Sequence, residues 1–233
     1  MRSEIVTFHS PKAQVSEIFR TLRTNIQFMN SNKDFKTLLI TSTMPGEGKS
    51  WVAANLAVAF AQAGKKVILI DTDMRKGRQA FLFKQSSDMG LSNYLSGIDG
   101  DNDIHKYINE TEMKGLSVIT AGTVPPNPSE LLCSERMKWL MDTVKYEYDL
   151  VILDGTPSSI VTDSVILSKD ADATLIVAAY KKTKKEDLKR LKQEIDNVGG
   201  KVIGVTLNRI KKVEKRYEKG YYYYSADIHP KVK

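Results

Sequence analysis

The stretch TLLITSTMPGEGKSWVAANLAVAFAQAG, residues 37–64, limits the fold of this chain more than any other. An apolar, strand-like run ends in a tight loop carrying two glycines, and an apolar helix pattern begins at once. A strand that feeds a helix through so short a turn is the first half of a parallel β–α–β unit. The same arrangement attracts anions, because backbone N–H groups converge in the loop and the helix dipole favours negative charge at its start. Gly46 and Gly48 permit close backbone approach to a phosphate, Lys49 can reach β- and γ-phosphates, and the Ser50 hydroxyl can ligate Mg²⁺. The match to G-x4-G-K-[ST] is incomplete, since Thr43 stands where the first glycine should be. In this strand–loop–helix setting, Pro45, Gly46, Glu47, Gly48, Lys49, Ser50 and Trp51 are expected to form a nucleotide phosphate site.

The rest of the chain repeats the alternation. Strands are expected at 37–42, 66–71, 116–121, 149–154, 173–178 and 201–208, with helices at 49–63, 91–96, 129–146, 162–169 and 184–197. Strands alternating with helices predict an α/β fold with a central, mostly parallel sheet flanked by helices. Gly64, Gly97 and the Gly199–Gly200 pair fall where helices should stop. At 233 residues and without an internal repeat, one domain is expected over 1–208. It includes an N-terminal helical stretch of about 13–29, and 209–233 forms a basic tail.

Two more stretches bring carboxylates toward the same loop. ILIDTDMR ends a strand at Asp71, with Asp73 two residues later, and LVILDGTP ends another at Asp154. Open α/β sheets bind ligands at the carboxyl ends of their strands. One aspartate there is often a turn former or a helix cap. Three on one edge, beside a phosphate loop, are expected to hold Mg²⁺ together with Ser50 and to orient an attacking oxygen.

Charge and termini exclude some functions. The net charge of +7 is concentrated in YKKTKKEDLKRLK (180–192), which has helical spacing, and RIKKVEKRYEK (209–219). Acidic residues are interspersed and no reader motif accompanies the lysines, so nucleic acid is not an expected partner. No apolar run approaches the ~20 residues of a membrane span. The N-terminus shows no signal-peptide pattern, and a single cysteine, Cys133, cannot form an intrachain disulfide. A cytoplasmic home is expected. Five of the ten tyrosines, Tyr217, Tyr221, Tyr222, Tyr223 and Tyr224, crowd into eight residues near the C-terminus.

Taken together the motifs resemble the bacterial tyrosine kinases, a family similar to ATPases of the MinD/ParA type. PGEGKS (45–50) matches that family's Walker A, LIDTDMR (69–75) its Walker A′ and VILDGTP (151–157) its Walker B. EIFRTLRTNIQF (17–28) matches its E-x2-R-x2-R oligomerisation motif through Glu17, Arg20 and Arg23. GLSNYLSG (90–97) and GTVPPNPSELL (122–132) are characteristic segments as well. The Walker B continuation GTPS departs slightly from the Pro-Pro common in the family. The resemblance implies an MgATP-dependent protein-tyrosine kinase with Lys49, Asp71, Asp73 and Asp154 as catalytic residues. It also implies autophosphorylation of Tyr217, Tyr221, Tyr222, Tyr223 and Tyr224 in trans within a ring-like homo-oligomer. A transmembrane adaptor that recruits and activates the kinase at the inner membrane face, a cognate protein-tyrosine phosphatase and a role in capsule or exopolysaccharide production are implied too. GVTLNR (204–209) is similar to a segment whose asparagine reads adenine, which nominates Asn208.

The alternatives are a MinD/ParA-like switch ATPase and a non-catalytic, ATP-dependent scaffold. The switch ATPases carry a signature lysine five residues before Lys49, where this chain has Met44. The switch ATPase leaves the tyrosine cluster unexplained, whereas in the scaffold the tyrosines would be docking contacts.

Overall fold

The computed structural model describes residues 5–29, 35–97, 100 and 102–210. Seven strands form its sheet: β1 (Thr37–Ser42), β2 (Val67–Asp71), β3 (Asn109–Glu110), β4 (Leu116–Ile119), β5 (Leu150–Pro157), β6 (Ala173–Ala179) and β7 (Val202–Asn208). Their order is β3-β4-β2-β5-β1-β6-β7, and every pairing is parallel except the short antiparallel β3–β4 ladder. The predicted fold class is therefore the observed one. Strand alternation explains the two-sided burial. On β1, Leu38 and Ile40 face one core and Leu39 the other, and Val67/Leu69 and Ile68/Ile70 divide likewise on β2.

The first face is covered by α3 (Lys49–Ala61), which is buried almost all the way round because a second layer lies outside it. That layer is α1 (Val6–His9) and α2 (Gln14–Met29). Phe19 and Ile26 of α2 enter the same core as the sheet, each worth about 1.5–3 kcal/mol of burial. Thr7 clamps α1 by donating through its N–H and hydroxyl to Asn55 Oδ1 at 2.9 and 2.8 Å. The expected N-terminal helical stretch is thus part of the core.

The opposite face carries α5 (Leu91–Ser96), α6 (Pro128–Leu132), α7 (Glu135–Glu147) and α8 (Asp163–Asp170), while α9 (Lys185–Asn197) packs by Leu191 and Ile195 near β6. The expected elements need correction in four places. The single helix expected at 129–146 is two, broken at Cys133–Ser134, where Ser134 caps α7 by accepting from the Met137 N–H at 3.3 Å. The five-residue α4 (Gln79–Phe83) has no counterpart among the expected elements, nor has β3 with its preceding 3-10 turn (Ile104–Tyr107). The strand expected at 149–154 runs on to Pro157, past an irregularity in its register with β1.

The two characteristic segments flanking β4 prove to be one structural unit. Leu91 N–H donates to the Thr120 carbonyl at 2.8 Å, and Asn93 Oδ1 accepts from Gly90 N–H at 3.1 Å and Thr123 N–H at 3.2 Å. A Cβ on Gly90 would lie 2.3 Å from the Thr120 carbonyl oxygen, so only glycine lets α5 seat against the end of β4.

Candidate active site

The loop between β1 and α3 presents its backbone to the carboxyl edge of the sheet. Gly46 and Gly48 have φ of 77° and 98°, and Gly48 is the left-handed N-cap of α3 with no side-chain cap of its own. The first N–H groups of α3 therefore keep the dipole and donor capacity that an anion would use. Lys49 Nζ lies 3.1 Å from Asp73 Oδ2, 3.6 Å from Asp154 Oδ1 and 3.2 Å from Ser50 Oγ. Strand pairing brings the carboxylates together, since Asp71 on β2 is directly opposite Asp154 on β5.

Their environments differ. Asp71 is fully buried. Its Oδ2 accepts from the N–H groups of Arg78 and Gln79 at 2.8 and 2.9 Å, and its Oδ1 from Asp73 N–H at 3.2 Å, so it anchors the start of α4. Burial, then the Asp154 charge, outweighs those donors and pushes the Asp71 carboxyl up to about 7. Asp154 is likewise raised, first by burial, although Lys49 and hydrogen bonds from Gln79 and Ser50 pull it down. Burial works against the Lys49 ammonium, but Asp154, Asp73 and Asp71 together hold its pKa above the ordinary lysine value. One cation thus faces three carboxylates, and among the described residues Asp154 Oδ1 has no hydrogen-bond partner.

That deficit of positive charge fits a divalent cation. Among the described residues no group of three or more His, Cys, Asp or Glu side chains is arranged to chelate a metal. Mg²⁺ commonly takes one or two carboxylates and fills its octahedron with phosphate and water, and this donor set suits that mode.

A cleft of about 480 Å³ opens in front of the loop, within the usual range for a small-molecule site. Its lining includes Pro45, Gly46 and Gly48 through Trp51 of the loop, with Asp73, Arg75, Thr156, Pro157, Ile160, Val161 and Arg209. A larger groove of about 650 Å³ between α7 and α8 contains none of the predicted residues.

The structure gathers Pro45 through Trp51, Asp71, Asp73 and Asp154 at this edge. Trp51 also stacks edge-on against Phe19 of α2, with ring centroids 5.2 Å apart. Asn208, at the end of β7, donates through Nδ2 to the Glu47 carbonyl at 2.8 Å and accepts from Arg209 N–H at 2.8 Å, leaving one N–H and one lone pair for another partner. Glu17 and Arg20 form an ion pair within α2, and Arg23 Nη1 donates to the Ala59 carbonyl of α3 at 3.0 Å. The expected phosphoacceptors Tyr217, Tyr221, Tyr222, Tyr223 and Tyr224 all lie outside the described residues.

Several site residues carry little sequence signal. Gln79 is fully buried and donates through Nε2 to Asp154 Oδ2 at 2.8 Å and the Ser50 carbonyl at 3.0 Å. Arg75 reaches the buried Asp163 at 3.5 Å while Ser129 donates to the same carboxylate at 2.6 Å, which fixes a guanidinium at the cleft wall. Arg75 closes the quoted Walker A′ stretch, so a signal is present there, whereas nothing near Gln79 or Asp163 in sequence announces a role.

Comparison with known proteins places these features in a family. A family model described as an AAA domain matches residues 35–209. Tyrosine-protein kinase YwqD of Bacillus subtilis is 40% identical over 222 residues, covering 95% of this chain and 92% of its own length. Tyrosine-protein kinase CpsD of Streptococcus agalactiae is 36% identical over 211 residues, 90% of this chain and 89% of its own. The crystal structure of the chimerical protein CapA2B2 superposes with a TM-score of 0.85 at 39% identity, covering 91% of this chain and 92% of that one. The cell division ATPase MinD of Pyrococcus furiosus, at 21% identity and a TM-score of 0.64, shares the fold alone.

Proposed function

Because this chain belongs to the bacterial tyrosine-protein kinase family, we propose that it transfers the γ-phosphoryl group of ATP, with Mg²⁺, to its own C-terminal tyrosines and to tyrosines of other proteins. The observation that carries the proposal is the convergence of Lys49, Asp73 and Asp154 at the open N-terminus of α3. The backbone of 45–50 and Lys49 hold the β- and γ-phosphates. Mg²⁺, held by Ser50 and one or two of the aspartates, neutralises phosphate charge when bound.

A tyrosine hydroxyl, with an ordinary pKa of about 10, enters protonated. Its oxygen forms a bond to the γ-phosphorus as the bond from that phosphorus to the β,γ-bridging oxygen breaks. The products are phosphotyrosine and ADP, and the phenolic proton passes to a carboxylate. We assign that acceptor to Asp73, which faces the cleft, whereas the Asp71 carboxylate is occupied by three backbone N–H groups. Lys49, Asp71 and Asp154 then act chiefly by positioning and charge.

The tail tyrosines, transfer in trans within a ring built on Glu17, Arg20 and Arg23, a membrane adaptor, a cognate phosphatase and control of capsule or exopolysaccharide production complete the proposal, supported by the family likeness. Among the described residues, no helix is long and apolar enough to cross a membrane. The deciding experiment incubates purified protein with MgATP and maps phosphotyrosine by mass spectrometry. Phosphate on one or more of Tyr217, Tyr221, Tyr222, Tyr223 and Tyr224 is the expected outcome. ATP hydrolysis without any phosphotyrosine, or labelling that persists in Lys49→Met, would refute the assignment.

A further inference from the structure

Glu47 sits in the middle of the phosphate loop, yet its side chain turns into the protein and only 3% of the residue is exposed. A buried carboxylate is costly unless donors replace its water. Here the donors come from two directions. Within the loop, Met44 N–H donates to Oε2 at 2.9 Å, and the Thr43 hydroxyl lies 3.1 and 3.2 Å from the two oxygens. From outside, the Thr183 hydroxyl donates to Oε1.

Thr183 lies in the turn between β6 and α9. Its Oγ1 accepts from Ala179 N–H at 2.8 Å and its own N–H donates to the Ala179 carbonyl at 3.0 Å. With a lone pair already engaged by Ala179, the hydroxyl proton is aimed at Glu47. Residue 47 is also the one position in PGEG where a side chain can anchor the loop, since Gly46 and Gly48 flank it with positive φ and conformational freedom. The loop's departure from G-x4-G-K-[ST] fits the same picture. Thr43 replaces the first glycine and its hydroxyl feeds the same carboxylate.

We propose that Glu47 and Thr183 are positioning residues for phosphotransfer. Through their hydrogen bond, the β6–α9 turn sets the shape of the loop and hence where Lys49 meets the transferred group. This rests on the nucleotide-site assignment above.

The test uses the full chain carrying Thr183→Val, Thr183→Ser, Glu47→Gln and the Thr183→Val/Glu47→Gln pair. Each is assayed for binding of a fluorescent ADP analogue with Mg²⁺, for KM and kcat of autophosphorylation, and for thermal unfolding. Thr183→Ala replaces the valine variant if that one does not fold. Losing a hydrogen bond to a charged group should raise KM for ATP and lower kcat by roughly 10-fold or more in Thr183→Val. Thr183→Ser, which keeps the hydroxyl, should restore both to within about twofold of wild type, and the double variant should be no worse than Glu47→Gln alone. Wild-type KM and kcat in Thr183→Val, a serine variant as impaired as the valine one, or additive effects in the double variant would each overturn the proposal. If wild-type protein binds no Mg²⁺–nucleotide, the site assignment falls and this inference falls with it. Normal wild-type binding with an unaffected Thr183→Val rejects this inference alone.

Discussion

Lys49 Nζ and Asp73 Oδ2 stand 3.1 Å apart, joining the first turn of α3 to the loop beyond β2. With Asp154 Oδ1 at 3.6 Å, this ammonium is the partner that two carboxylates share. Lys49→Met is expected to lower phosphotyrosine formation at least ~10²–10³-fold, the scale seen when a charge stabiliser of a transition state is removed. Far-UV circular dichroism should show the fold retained, because buried carboxylates deprived of a cation can take up protons. A variant that keeps more than a tenth of wild-type labelling would contradict this role.

The same crowding of negative charge predicts the response to metal. A ligand that binds only the folded protein stabilises it by about 2.7 kcal/mol at a concentration near 100 times its Kd. For a chain of this size each kcal/mol moves the thermal midpoint about 2–4 °C. ADP with Mg²⁺ should therefore raise the midpoint by roughly 5–11 °C, and EDTA should remove most of the gain. Equal stabilisation with and without EDTA in differential scanning fluorimetry would argue against a metal held at this edge.

Much of this site is legible in the sequence, and the limits have a physical cause. Strand alternation and the glycine loop place Lys49, Asp71, Asp73 and Asp154 at one edge, because a parallel sheet leaves few other positions for the ends of its strands. Contacts across long sequence separations leave no periodicity to read. Glu47 meets Thr183 136 positions away, and Asn208 meets the Glu47 carbonyl 161 positions away. Helix α4 is hidden for the same reason: its start is held by the Asp71 carboxylate rather than by a cap of its own. The break at Ser134 is readable, since a serine beginning S-x-x before an apolar pattern is a helix N-cap signal.

Arg23 and Glu17 should separate packing from assembly. The Arg23 guanidinium donates to α3 at Ala59, and its Nε is buried with no hydrogen-bond partner among the described residues. Arg23→Ala should cost about 1.5–3 kcal/mol, as for other hydrogen bonds from charged groups. Glu17→Ala breaks a partly exposed pair within one helix and should cost at most about 1 kcal/mol. If the motif also builds a ring, Glu17→Ala will shift the protein to smaller species on a sizing column while its thermal midpoint barely moves. Unchanged elution of that variant would remove Glu17 from the interface.

His105 supplies a pH signature away from the site. Its Nε2 is 2.8 Å from Glu147 and its Nδ1 2.9 Å from Asp103, so both ring nitrogens face carboxylates. The hydrogen bond to Glu147, then that to Asp103, raises the imidazole pKa above its ordinary 6.5. A raised folded-state pKa contributes stability that is fully present below pH 6.5 and fades as pH climbs through the folded value. The ring is largely exposed, so the contribution is small. NMR titration should give a His105 pKa above 6.5 that falls in Glu147→Gln. A titration identical in the two proteins would contradict the pairing.

Gly90 tests the seam between α5 and β4. Its φ of −166° is open to any residue, so backbone conformation does not demand glycine here. The demand is steric: a Cβ would lie 2.3 Å from the Thr120 carbonyl oxygen and 2.5 Å from the Gly122 nitrogen, and backbone atoms cannot swing aside as a side chain would. Gly90→Ala should therefore cost about 1–3 kcal/mol, the range for overpacking a close-fitted site. In a chain of this size that lowers the thermal midpoint by roughly 2–12 °C. Gly46→Ala meets no atom within 4 Å and so separates the two costs, because any loss there comes from its φ of 77° alone. A Gly90→Ala protein as stable as wild type would show that α5 can move off β4 without penalty, and the seam would not be the tight joint these distances describe.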